Sequence, residues 1–86
     1  MTYTVEFDKR IKSKLKKLEK HDRVLLFKLI TKITEDPHKG KPLRYSLKGL
    51  RRVVFKHYRV IYKILEDEQS VFIVEFEIRE KVYRMG

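Results

Sequence analysis

The sequence predicts an α+β domain of order β-α-α-β-β-β, with a twisted, mainly antiparallel sheet and two helices packed on one face. Three observations predict it. The chain opens on a period-two run, "TYTVEF". Two segments with helical apolar spacing follow. After a loop rich in proline and glycine come three strand-like runs at close spacing. Residues 1–86 read as one domain without repeat or linker.

In the first run, Tyr3, Val5 and Phe7 share one face and Thr4 and Glu6 the other. Asp8 is placed to cap the next helix. In "KRIKSKLKKLEK", Ile11, Leu15 and Leu18 form a narrow apolar stripe among lysines. His21 interrupts the pattern, Asp22 offers a second cap, and the second helix is expected from about Arg23 to Glu35. Leu26, Leu29, Ile30 and Ile33 make its stripe, and Pro37 ends it by disfavouring helix at Asp36. Residues 37–49 read as a basic loop with Leu43 and Leu47 as anchors. Strands are expected at about 50–56, 58–65 and 71–78, with a tight turn at Lys56-His57 that lacks the usual Gly or Asn.

Alternation assigns the faces of these strands. Val53 and Phe55, then Tyr58, Val60, Tyr62 and Ile64, then Phe72, Val74, Phe76 and Ile78 are expected to face the helices. Arg52, Val54, Lys56, Arg59, Ile61, Lys63, Val71, Ile73, Glu75, Glu77 and Arg79 are expected on the open face. An arginine in the middle of the strongest strand, "HYRVIY", therefore looks outward among other cations, with Glu75 and Glu77 placed to hold them.

Charge narrows the partners. The formal net charge is +10, and residues 37–63 hold nine bases and no acid, whereas residues 64–78 hold five acids and no base. A block of this kind suits a phosphate-rich or acidic partner. There is no cysteine, so no disulfide framework and no thiolate metal site. No apolar run reaches the length needed to span a bilayer, and the opening residues lack the apolar middle of a signal peptide, so a cytoplasmic, non-membrane protein is expected. The three glycines fit no phosphate loop, no serine sits in a nucleophile elbow, and the three histidines lack metal-ligand spacing, so no cofactor or metal is expected.

"LKGLRRVVFKHYRVIYKI" followed by "VEFEIREKVY" resembles the RelE/ParE toxins of type II toxin–antitoxin modules. The resemblance rests on Leu47, Gly49, Arg52, the run Tyr58-Arg59-Val60-Ile61-Tyr62, and Arg79 with Tyr83, and it spans essentially the whole chain. It implies a RelE-like fold and a metal-independent endoribonuclease that cuts messenger RNA in the ribosome by attack of a ribose 2′-OH on the adjacent phosphate. It also implies a cognate antitoxin, with the pair binding operator DNA through the antitoxin.

The ParE branch instead binds DNA gyrase, and a RelE-fold module that binds without chemistry is a third reading. By resemblance, Arg59 is the phosphate binder, Arg79 supports it, Arg52 adds a second cation, and Tyr83 stacks on a base or positions a proton. Lys48, Arg51, Lys56 and Lys63 flank them as RNA-backbone contacts. The plain alternative makes Arg59 a salt bridge to Glu75 or Glu77, Arg52 a solvated side chain, and Arg79 and Tyr83 supports for the C-terminus. The chain departs from the ribonuclease pattern at Val54, where some members carry a second basic residue, and it has no acid in the loop before that strand. Glu75, Glu77 and His57 are the candidates for a general base by face and proximity.

Overall fold

The computed structural model describes residues 2–78. The elements are β1 (Thr4–Phe7), α1 (Lys9–Lys16), α2 (Lys20–Glu35), β2 (Lys41–Pro42), β3 (Arg51–Phe55), β4 (Tyr58–Leu65) and β5 (Ser70–Ile78). The strands form one sheet in the order β1-β5-β4-β3-β2, with β1 parallel to β5 and every other pair antiparallel.

The helices start and stop for identifiable reasons. Asp8 caps α1, its carboxylate accepting from the Arg10 N–H at 2.9 Å. Asp22, expected as the second cap, is not one. Helix α2 begins earlier, behind Glu19, and Asp22 in its first turn accepts the Tyr58 hydroxyl at 2.8 Å. His21 is an exposed residue inside α2. Pro37 ends α2 as expected and starts a single 3₁₀ turn.

The core lies between the helices and one sheet face. Ile11 from α1 and Leu26, Leu29, Ile30 and Ile33 from α2 bury against Tyr58, Val60, Tyr62, Val71, Ile73 and Phe76. Full burial of one such side chain stabilises by about 1.5–3 kcal/mol. The buried Tyr62 hydroxyl donates to the Pro37 carbonyl at 2.6 Å, which pins the loop after α2 to the sheet. Burial pushes the Tyr62 phenol above its ordinary value, so it stays a neutral donor. That hydroxyl fills the space a side chain at Gly40 would need.

The face assignment of the last strand is overturned in part. Ile61 pairs with Glu75, but the next residue, Tyr62, pairs with Ile73, which leaves Val74 as the extra residue of a bulge. The bulge reverses the phase of β5. Phe76 and Ile78 face the helices on one side of it, and Val71 and Ile73 face them on the other. Ile73 is 1% exposed, while Phe72 lies opposite Lys63 on the open face. The run Val71–Val74 is apolar at every position, so alternation alone did not determine its phase.

The loop of residues 37–49 is also more structured than expected. Lys41 and Pro42 pair with Arg52 and Arg51, adding a fifth strand. Leu43 is half-buried and its N–H bonds the Leu50 carbonyl, so it anchors as expected. Leu47 does not, being 45% exposed. The turn at Lys56-His57 closes with Lys56 at φ 54°, a left-handed conformation taken without glycine. Among the described residues no helix is long and apolar enough to cross a membrane.

Candidate nucleic-acid interface

The open face is organised in rows set by strand register. Val54, Arg59 and Glu77 lie side by side across β3, β4 and β5. The next row is Lys41, Arg52, Ile61 and Glu75. Past the bulge come Lys63, Phe72 and Glu6. Cations thus gather on the β2–β3 side and in β4, and carboxylates line β5.

Arg59 occupies the middle of the first row. Its Nη2 donates to Glu77 Oε1 at 2.5 Å, and both side chains are part-exposed. Its Nε is buried with no hydrogen-bond partner among the described residues. Glu75 is held by Lys14 of α1, whose Nζ lies 3.2 Å from the carboxylate and also donates to the Phe76 carbonyl at 3.1 Å. Both β5 carboxylates therefore face a cation. Arg52, Lys41 and Lys63 make no ion pair among the described residues. The face has a guanidinium fork and a second arginine one row away, and the one acid on it without a cation partner among the described residues, Glu6, lies at the far side of the bulge, an arrangement that suits an anionic backbone near Arg59.

The flanking candidates separate. Lys63 sits on this face, exposed. Arg51 does not: it projects to the helix side opposite Tyr62, and its Nη1 donates to the carbonyls of Gly40 at 2.7 Å and His38 at 3.1 Å. Lys56 also leaves the open face. The left-handed turn swings its Nζ to 5.5 Å above the Phe55 ring, on the helix side. Lys48 is exposed on the loop before β3. His57 is exposed at the hairpin tip, edge-on to Tyr58 at 6.4 Å. Arg79 and Tyr83 lie outside the described residues.

Sequence reasoning missed Lys41 and Lys14. Lys41 reaches the face through a two-residue strand containing proline, which has no periodic signature. Lys14 belongs to α1 and reaches the edge of β5, a contact only the tertiary fold creates. At the other end of the sheet, Glu66 accepts the Tyr3 hydroxyl at 3.2 Å and lies 2.7 Å from His38 Nε2. The His38 contact holds the Glu66 carboxyl below its ordinary range. No cluster of three His, Asp or Glu able to hold a metal occurs among the described residues.

This arrangement has relatives. The family described as "ParE toxin of type II toxin-antitoxin system, parDE" matches residues 5–83. The chain belongs to the RelE/ParE toxin family. The toxin RelE of Mycobacterium tuberculosis is 38% identical over 55 residues, covering 63% of this chain and 57% of that protein. The solved RelBE2 toxin–antitoxin complex of the same organism matches at a TM-score of 0.84 and 27% identity, over 92% of this chain and 100% of that one. The isolated RelE toxin of E. coli shares the fold at a TM-score of 0.76 and 21% identity, over 93% and 87% of the two chains. The expected α+β architecture and the resemblance to RelE/ParE toxins both hold.

Proposed function

We propose that this chain is a cytoplasmic toxin that cleaves messenger RNA on the ribosome, and that the open face is its reaction surface. The observation that carries the reading is Arg59, placed mid-sheet with Arg52, Lys41 and Lys63 around it and only Glu77 to displace. In the reaction, a ribose 2′-oxygen loses its proton and attacks the neighbouring phosphorus. The P–O5′ bond breaks, leaving a 2′,3′-cyclic phosphate and a 5′-hydroxyl after the leaving oxygen takes up a proton. The crowded phosphate gains charge as it forms. Arg59 exchanges its Glu77 contact for two phosphate oxygens and stabilises that charge, and Arg52 adds a second cation. Arg79 and Tyr83 complete the set by resemblance to the family. A cognate antitoxin holds the toxin inactive, and the pair binds its operator through the antitoxin. The solved relative in complex with its antitoxin supports such a partner.

Two observations favour a second reading, a ParE-like gyrase inhibitor or a binding module without chemistry. Arg59 is engaged by a carboxylate, and Val54 stands beside it where some ribonuclease members have a base. Expression without antitoxin separates the readings. Growth arrest with new messenger 5′ ends at ribosome decoding sites, lost in Arg59→Ala, supports the nuclease. Arrest with inhibited supercoiling and intact messenger supports the gyrase reading. Normal growth on strong expression overturns the nuclease and the gyrase inhibitor and leaves the binding module.

A further inference from the structure

The tip of the hairpin formed by β2 and β3 holds the most exposed large side chain of apolar character among the described residues. Tyr45 is 90% exposed, sits at φ 59°, and belongs to no core cluster or aromatic pair there. That left-handed conformation costs a tyrosine more than a glycine or an asparagine, and no packing offsets the cost. The turn that carries the ring is nonetheless closed. Leu47 N–H donates to the Arg44 carbonyl at 3.1 Å, Lys48 N–H to the Tyr45 carbonyl at 3.0 Å, and Leu43 N–H to the Leu50 carbonyl at 2.9 Å. The ring is thus held out to solvent on a fixed mount. Arg44 and Lys48 flank it, both exposed, and residues 37–63 around it hold no acid.

We propose that Tyr45 is a stacking platform for an unpaired base of the messenger strand, outside the pair of nucleotides that reacts. The inference rests on the reaction-surface reading above. The hairpin leads from the open face to the tip, because Lys41 and Arg52 pair across it in the row beside that of Arg59. From Val54 in the Arg59 row to Leu50 at the base of the tip is about 13 Å of strand. A messenger whose phosphate reaches Arg59 and whose backbone follows Arg52 and Lys41 therefore brings a base a few nucleotides away to Tyr45. A lone ring between two cations suits a nucleotide, whose base needs one flat face and whose phosphate needs a positive neighbour. A protein helix would need a wider apolar stripe than Tyr45 and Leu47 provide. Stacking strengthens with the size of the base, so a purine is preferred at this position.

The test is a fluorescence titration of wild type, Tyr45→Gly, Tyr45→Phe and Arg52→Ala at low salt. The probe is an oligouridine that is 2′-O-methylated throughout, so that it cannot be cleaved, and that carries one 2-aminopurine, whose emission falls when it stacks. Wild type should quench the probe. Tyr45→Gly should bind about tenfold more weakly and lose the quench. Its Tm should be little changed, because glycine takes the left-handed conformation freely. Tyr45→Phe should keep affinity within about twofold and keep the quench, because the stack uses the ring and not the hydroxyl. Full affinity and quench in Tyr45→Gly, with binding weakened in Arg52→Ala, would overturn the platform and leave the reaction surface intact. A probe that ignores wild type would overturn both. A fall in Tm that accounts for the lost affinity would make Tyr45 structural and overturn the platform. Two further results would also overturn it: weakened binding of the antitoxin with the probe unaffected, which assigns the ring to a protein contact, and slowed cleavage of ribosome-bound messenger with the probe unaffected, which assigns it to ribosomal RNA.

Discussion

Arg51 and Arg52 are adjacent in the chain and chemically identical, yet the pleat sends them to opposite faces with different surroundings. Arg51 turns toward the helices and clamps the loop carbonyls of His38 and Gly40. Arg52 turns outward onto the open face, with no ion pair among the described residues. The same split runs along β4. Tyr58, Val60 and Tyr62 are buried, and Arg59, Ile61 and Lys63 between them are accessible in varying degree. One face of the sheet packs on the helices and the other stays open. A two-residue period thus separates the packing residues from those of the proposed reaction surface within single strands.

That contrast makes graded predictions. The largest effect on stability is expected at the bulge. Ile73→Ala should destabilise by about 2–5 kcal/mol, since it opens a cavity in the core. Phe72→Ala should cost markedly less in the same urea titration. The reverse order would mean β5 keeps simple alternation and the bulge is absent. Next comes Tyr62→Phe, which leaves the Pro37 carbonyl without its buried donor. A loss of about 1–3 kcal/mol is expected in the same titration.

A smaller effect separates the two arginines. Arg51→Ala should cost about 1–2 kcal/mol through its carbonyl contacts. Arg52→Ala should stay within about 0.5 kcal/mol and instead weaken binding to single-stranded RNA with a reduced salt slope. Equal stability effects would erase the distinction between the faces.

The smallest effect is pH dependence at Glu66, an exposed carboxylate. Its folded pKa lies below its ordinary value, first because of the hydrogen bond with His38. The stabilisation is therefore present near neutral pH and fades as pH falls through the folded value. Between neutrality and about pH 3, the urea midpoint of wild type should fall slightly further than that of Glu66→Gln.

Much of this was legible in the sequence. Val60 and Tyr62 alternate cleanly with Arg59 and Lys63, so both faces of β4 could be read directly. The stripe of α2 and the cap at Asp8 followed from spacing and residue type. The phase of β5 was not legible, because Val71–Val74 is apolar at both parities and only the partner strand's register decides it. Nor was the departure of Lys56, because a lysine in a left-handed turn carries no sequence mark. In the site, Arg59's outward position was readable from alternation. Which of the two carboxylates would hold it depended on row register, and the structure selects Glu77 over Glu75. Lys14's claim on Glu75 depended on how α1 crosses the sheet edge.

The measurement that bears most directly on the central claim is the single-turnover cleavage rate of a ribosome-bound messenger by wild type, Arg59→Ala and Arg59→Lys. Folding is checked in parallel by Tm. A phosphate clamp on the open face predicts a loss of about a hundredfold or more for Arg59→Ala with Tm little changed. It predicts partial recovery with Arg59→Lys, which keeps the charge but not the fork. A rate unchanged in Arg59→Ala, or a messenger left intact by wild type, would contradict it.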